Sequence, residues 1–441
     1  MSAKLAGKLF TQRRFLPLFV LFQAGTFNDN ALKQALIGLV TFGGVVLFSD
    51  TIPRGSVVPL AAFLFTMPFL IICAIAGQIA DKVDRGLILK RIKRVEVGLM
   101  LLAALGFFLE SPLILAATLI GMGAQSAFFS PTKNSVLPQW LESDELITGN
   151  GLLSGFQFFF ILIGQSVGLL LVLTQFPDSA WMTGPRLVGT ILIVLALLGW
   201  FAAEKVPAAP APQPDLKIDF NPITATINVL RHAIADMPVF RPLLGIAWFY
   251  GLSTVFVTAL PTYVADVLRY DQTTLTVIMV ISTCGILFGS LFCVVVAKGK
   301  EAIGLVALGI TGVTLFTFDV FLNSAQSTRE GLGTLAEFRQ DPQGLRFLFA
   351  MTAASFCNGL FVVPLQAMSQ GRANSALRAR LMSAGAVLLN LSVNGITVLL
   401  FVLGFTQLPP QFPFLIVVVI SAGIALYAGK RWLEVRRETK V

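Results

Sequence analysis

Twelve apolar stretches separated by short polar breaks constrain this chain more than anything else in it. They fall near residues 15–48, 56–80, 93–109, 112–130, 148–173, 185–203, 240–265, 273–297, 302–323, 346–368, 379–405 and 411–430. Inside hydrocarbon a backbone must satisfy its own N–H and C=O groups, which leaves only helices and closed barrels. A helix crosses a ~30 Å hydrocarbon layer in about 20 residues, whereas a barrel strand needs about ten with alternating polarity. The stretches have the first length and lack the second pattern. Hydrophobic residues make up 56% of the chain and charged residues 12%, with a mean hydropathy of +0.82. The expected fold is therefore an all-α integral membrane protein with twelve transmembrane helices.

Lys4, Lys8, Arg13 and Arg14 precede the first stretch, which is too long for a signal h-region and is broken by Asn28-Asp29-Asn30 rather than by a small-residue cleavage site. It reads as an uncleaved first span, one that must tilt or bend near Gly43-Gly44 to fit the bilayer. Lys and Arg at the span ends and in the loops divide 25 to 6 between the two sides, with Lys33 apart, a bias that puts both termini in the cytoplasm. The net charge of +9 then belongs to loops beside anionic headgroups, not to nucleic-acid binding.

Cys73, Cys284, Cys293 and Cys357 stand singly in apolar surroundings, and His232 is the only histidine. This pattern offers little to a metal site or to histidine-based catalysis, so no metal, no cofactor and no enzyme activity are expected. An H-x-x-x-x-D acyltransferase motif is also missing, because Asp236 follows His232 with three residues between them.

The longest polar stretch runs from Glu204 to Phe240 and opens with Pro207, Pro210, Pro212 and Pro214, the composition of a stiff linker. It divides the chain into an N-terminal six-helix bundle (1–203), a cytoplasmic linker (204–239) and a C-terminal six-helix bundle (240–441). Two-bundle transporters are organised in this way, with the site between the halves at mid-membrane. A weak internal echo agrees with duplication: Gln125 stands six residues before Pro131, and Asn358 six before Pro364.

The first span carries the main anomaly, Phe27-Asn28-Asp29-Asn30-Ala31-Leu32-Lys33-Gln34. From Phe15 to Asp29 is roughly 21 Å of helix, which sets a carboxylate near the bilayer midplane. A charge there costs on the order of 2.5–3.5 kcal/mol, so it is expected to be paired and to face a polar interior. Asp29 and Lys33 at i, i+4 share a helix face and are expected to pair. The substrate-binding candidates are Asn28, Asp29, Asn30 and Lys33, with Gln125, Lys133, Asn150, Gln157, Asn358 and Asn390 from other spans. A ligand with an apolar tail finds Phe128, Phe129, Phe156, Phe158, Phe159 and Phe160 nearby in sequence. Gly151-x-x-x-Gly155 and Gly164-x-x-x-Gly168 are close-packing signals.

After the second span, Gly77-Gln78-Ile79-Ala80-Asp81-Lys82-Val83-Asp84-Arg85-Gly86 resembles the G-x-x-x-D-(R/K)-x-G-R loop of the major facilitator superfamily, with Asp84 where that pattern has Gly. Gly77, Asp81, Lys82 and Arg85 are the gating candidates: Gly77 for close helix approach, Asp81 and Arg85 for a charge bridge that breaks during the transport cycle. The corresponding segment after the eighth span, Ala297-Lys298-Gly299-Lys300-Glu301, is degenerate.

Phe27 to Asn30 and Lys33, Gln125 to Asn134, Asp144 to Gly151, Gly245 to Gly251 and Leu260 to Val264 together resemble the lysophospholipid transporter family of that superfamily. The closest likeness is to the transporter half of chains fused to an acyl-carrier-protein–phospholipid acyltransferase. The resemblance implies the major facilitator fold in a bacterial inner membrane. It also implies alternating-access transport of lysophosphatidylethanolamine-like lipids for reacylation, with an acyltransferase, fused or adjacent, as partner, and a monomeric carrier in contact with membrane lipids. Where the family has Lys-Tyr and Asn-x-x-x-Glu, this chain has Lys133-Asn134 and Asn150 to Ser154, and its seventh span lacks the Arg of stand-alone members. Asp29 is thereby the remaining acid for a headgroup amine. Two alternatives make different predictions: a proton-coupled exporter of drugs or other amphiphiles, and a membrane-embedded, substrate-presenting part of an acyltransferase complex.

Overall fold

Polar breaks set the helix boundaries through local capping. Asp84 accepts a hydrogen bond from Leu87 N (3.0 Å) and starts a helix eight residues before the apolar stretch at 93. Glu142 and Glu145 form a reciprocal capping box at another helix start, and prolines occupy the first turn of several more. The computed structural model describes residues 3–46, 52–177, 181–297, 303–323, 327, 329, 331–372, 378–406 and 408–438. The segment Lys298-Gly299-Lys300-Glu301 lies outside them.

The chain divides into two compact units. The first, Met1–Ile52 with Ala61–Ala225, contains α1 (Ala3–Phe10), α2 (Leu16–Thr41), most of α3 (Arg54–Lys82), α4 (Arg85–Phe108), α5 (Pro112–Trp140), α6 (Ser143–Val172) and α7 (Gly184–Glu204). Here α2 packs on α6 and α7, and α4 packs on α5 and α7. Gly164 and Gly168 make the α2–α6 crossing possible: a Cβ at Gly168 would stand 2.3 Å from Ala31 O, and one at Gly164 2.7 Å from Phe27 O. The stripe expected for close packing therefore lies directly behind the polar stretch of α2. The first apolar run ends as a helix at Thr41, and the chain turns at Gly44 with φ +69°.

The second unit, Pro53–Leu60 with Thr226–Val441, takes in the first turns of α3 and most of α8 (Pro222–Ala235), then α9 (Met237–Thr262), α10 (Gln272–Ala297), α11 (Ile303–Leu322), the short α12 (Leu335–Phe338), α13 (Pro342–Arg372), α14 (Arg378–Leu403) and α15 (Phe412–Glu438). α13 packs on α9, α10 and α11, while α15 packs on α11 and α14 on α9. Pro261 inside α9 is followed by a π-helical turn, Tyr263–Leu268, that ends at Arg269 in the left-handed region.

Among the described residues, twelve helices have 20 or more residues, and nine of them are long and apolar enough to cross a membrane. The other three are α2, α4 and α6; in α6 the apolar part is the shorter stretch Phe159–Val172. The Pro-rich stretch also differs from a plain linker. Residues 205–221 are non-helical, but α8 follows them and stops one residue before α9.

Candidate functional site

The middle of α2 faces α4, α5 and α7, so its polar residues meet partners from three helices. Asn28 is fully buried; its Nδ2 donates to Glu96 Oε1 and to Leu192 O, both at 3.3 Å. Glu96 is itself fully buried and ion-paired to Lys93, one turn back on α4. Its Oε2 also accepts from Gln125 Nε2 on α5 at 3.1 Å. Next to Gln125, Ser126 Oγ donates to Asp29 Oδ2 at 2.9 Å, with Gln125 Oε1 as a second acceptor at 3.2 Å. A continuous polar chain thus runs Lys93, Glu96, Gln125, Ser126, Asp29.

Glu96 also orients the amides. Because Asn28 and Gln125 both turn their NH2 groups toward it, their carbonyl oxygens face away, and Asn28 Oδ1 has no hydrogen-bond partner. Asp29 Oδ1 is likewise buried without a partner. Lys93 fits because α2 has no side chain at Gly25, where a Cβ would stand 2.5 Å from Lys93 Nζ.

The pair expected between Asp29 and Lys33 does not form at contact distance. Lys33 Nζ rests over the Phe65 ring, 4.8 Å from its centroid, and Asp29 takes the Ser126 hydroxyl instead. Helical spacing brings two residues to one face, but the neighbouring helices offer each a better partner. Lys133 Nζ lies 4.1 Å over Phe22, and Lys93 Nζ lies 5.2 Å from Phe129. Asn30 bonds back to Thr26 O at 2.8 Å. Gln157 is half-buried on α6, and the side chain of Asn150 lies outside the described residues, as do Gly151 and Gly155. Asn358 and Asn390 belong to the second unit. Asn358 is buried with Oδ1 unpartnered, and Asn390 Nδ2 donates to Ala386 O at 2.9 Å, on its own helix.

Sequence reasoning missed Lys93 and Glu96 because Lys93 looked like part of a basic loop. The available signal was their i, i+3 spacing, which puts opposite charges on one face beyond two full turns of a helix already capped at Asp84.

At the α3–α4 junction the gating candidates serve two purposes. Arg85 Nη2 bonds Asp81 Oδ1 at 2.9 Å and Arg85 Nε bonds Ala80 O at 3.0 Å, so the guanidinium is buried while Asp81 stays half-exposed and Lys82 exposed. The same loop holds the Pro-rich segment. Arg85 N donates to Ala209 O (2.9 Å), Asp84 Oδ2 accepts from Ala209 N (3.1 Å), and Gln213 N donates to Asp81 O (2.9 Å). Gln78 exchanges two hydrogen bonds with the Asp219 backbone, and Trp140 Nε1 donates to Ala208 O. A Cβ at Gly86 would stand 2.5 Å from Pro207 O. Asp84 and Gly86, the residues out of register with the superfamily loop, thus clamp residues 207–219 onto the first unit. Gly77, by contrast, has open space where a Cβ would stand, so the close approach expected of it does not occur.

Beside this loop, Glu145 is buried against Lys8 and Arg14, with Arg14 Nη2 at 2.8 Å. Burial opposes its ionisation, but hydrogen bonds from Glu142 and Gln12 and the charges of Arg14 and Lys8 outweigh that and hold its carboxyl below the ordinary value.

Long helices enclosing a charged, hydrogen-bonded chain at mid-span define a polytopic membrane protein with an intramembrane polar site. Residues 110–330, half of the chain, match the Major Facilitator Superfamily, and the chain belongs to that superfamily. It is 24% identical to the lysophospholipid transporter LplT of Cronobacter sakazakii over 438 residues, 98% of each chain. It is 25% identical to the LplT of Serratia proteamaculans over 359 residues, 80% of this chain and 79% of that one. Among solved structures, a bacterial homologue of the human lysosomal transporter Spinster matches with a TM-score of 0.66 and 13% identity, covering 98% of this chain and 99% of that one. The xylose transporter XylE of E. coli matches with a TM-score of 0.61 and 16% identity over 94% and 96%. These likenesses agree with the all-α, twelve-helix architecture expected from hydropathy.

Proposed function

We propose that this protein transports lysophospholipids of the lysophosphatidylethanolamine type across the bacterial inner membrane by alternating access, with both termini cytoplasmic and an acyltransferase consuming the imported lipid. The observation that carries the reading is the pattern of unused bonding capacity around Asp29. Its Oδ1 is buried without a partner, while Lys33 and Lys133 rest on aromatic rings with no ion pair to a described residue. A zwitterionic headgroup matches this arrangement, with its ammonium at Asp29 and its phosphate at Lys33 or Lys133, since an ammonium binds phosphate as a point charge. The single acyl chain has Phe-rich faces of α5 and α6 to lie against. Likeness over almost the whole chain to relatives named as lysophospholipid transporters supports the same substrate class.

Lipid uptake by proteoliposomes tests it. Lysophosphatidylethanolamine is expected to be translocated, and Asp29→Asn to slow uptake about 10–150-fold at equal protein, the worth of one charge-assisted hydrogen bond of about 1.5–3 kcal/mol. Wild-type rates from Asp29→Asn would remove Asp29 from the site. Proton-driven efflux of organic cations with no lysolipid uptake would replace the reading with that of an amphiphile exporter.

A further inference from the structure

The second unit carries a groove, of about 670 Å³, that the transport reading does not use. It lies between α11 and α15 and is walled by Leu315, Ala425, Leu426 and Leu433, with Thr311 and Thr314 on the α11 side. Thr314 spends its hydroxyl on Ile310 O at 2.8 Å. All charged lining residues, Lys430, Glu434 and Arg437, sit in the last nine residues of α15. The cavity is thus apolar along its length and cationic at one end.

Charge bookkeeping sharpens this. Glu434 is already paired with Arg431 at 2.6 Å. Lys430 and Arg437 make no ion pair with a described residue, which leaves two cations at the mouth. From Lys430 back to Ala422 is about 12 Å of helix, comparable to the ~15 Å depth of one hydrocarbon leaflet. Gly304 beside Trp432 sets the start of α11 level with this end of α15, so both helices run from the headgroup layer inward along the groove. The charge asymmetry of the chain assigns this end to the cytoplasmic leaflet, which is rich in anionic lipid, and basic pockets between membrane helices on that side take anionic headgroups.

We infer that the α11–α15 groove is a binding site for one anionic membrane phospholipid, which lays an acyl chain along Leu315, Leu426 and Leu433 and sets its phosphate between Lys430 and Arg437. The bound lipid is a resident of the second unit, apart from the polar chain around Asp29.

Native mass spectrometry of the full chain released from nanodiscs of equal parts phosphatidylglycerol and phosphatidylethanolamine tests the site. One phosphatidylglycerol is expected to remain bound in preference to phosphatidylethanolamine. Lys430→Ala and Arg437→Ala should each lower its retention about five-fold, and the double variant about 30-fold, at roughly 1 kcal/mol per basic residue. Ala425→Phe, which fills the apolar part, should lower retention without touching a charge. Arg436→Ala, on the same helix but stacked over Trp432, is the control and should leave retention unchanged. Equal retention of both lipids by the wild type, wild-type retention by the double variant or by Ala425→Phe, or an equal loss from Arg436→Ala would each overturn the assignment.

Discussion

The two units bury polar groups in different ways. In the first, Lys93 and Glu96 are fully buried in mid-helix, Asp29, Lys33 and Lys133 lie half-buried around them, and hydrogen bonds run from helix to helix. In the second, no charged side chain is buried among the described residues. Its buried polar groups are amides and hydroxyls such as Thr258, Asn394 and Thr397, many of them bonded to their own helix. Charge inside lipid costs several kcal/mol and persists where it does work, whereas a hydroxyl or amide bonded locally costs little and ties helices together. The contrast is why the proposed headgroup recognition is assigned to the first unit, while the buried polar groups of the second serve helix contacts.

Isolating one buried charge should give the largest effect. Glu96→Gln leaves Lys93 without its counter-ion and should cost about 3–5 kcal/mol, read as a fall in melting temperature in detergent. The double change Lys93→Met with Glu96→Leu should recover much of that loss, because no uncompensated charge remains. If Glu96→Gln melts like the wild type, the difference between the units is one of composition only.

A much smaller loss is expected in the second unit. Asn394 Nδ2 bonds Asn390 O at 2.9 Å within α14. Asn394→Val should cost about 0.6 kcal/mol, the average for a polar contact between membrane residues. A loss as large as that of Glu96→Gln would mean that the second unit, too, depends on a buried polar centre.

The smallest effect concerns the edge of the first unit and depends on pH. Glu145 has its carboxyl held below the ordinary 4.5 in the folded protein, so its contribution to stability is complete above that value and is lost as pH falls through the lowered folded value. Glu145→Gln should therefore flatten the acid limb of the melting curve and leave its shape near neutral pH unchanged. An acid limb identical to the wild type would show that Lys8 and Arg14 contribute nothing through this carboxylate.

Much of the architecture was legible in the sequence because lipid enforces it locally. Span lengths and the break near Gly43-Gly44 follow from the cost of exposing backbone to hydrocarbon, and Gly164 and Gly168 at a helix crossing follow from the close approach that helix packing in lipid requires. The site was legible only in part. Asp29 and Gln125 stand out as polar residues in apolar runs, and the structure joins them through Ser126. Lys33 shares a helix face with Asp29, yet Phe65 takes its ammonium.

The sequence by itself determined that the chain is helical, membrane-embedded and marked by charge in its first span, because those properties depend on each segment's contact with its solvent. Tertiary structure alone decided which partners the charges find. Glu96 is 68 residues from Asn28 in the chain but meets it only when α4 packs beside α2. The Pro-rich segment is clamped only when Ala209 reaches Asp84 and Arg85. A hydrogen bond depends on where two helices place their atoms to within a fraction of an ångström, and no single stretch of sequence contains that distance.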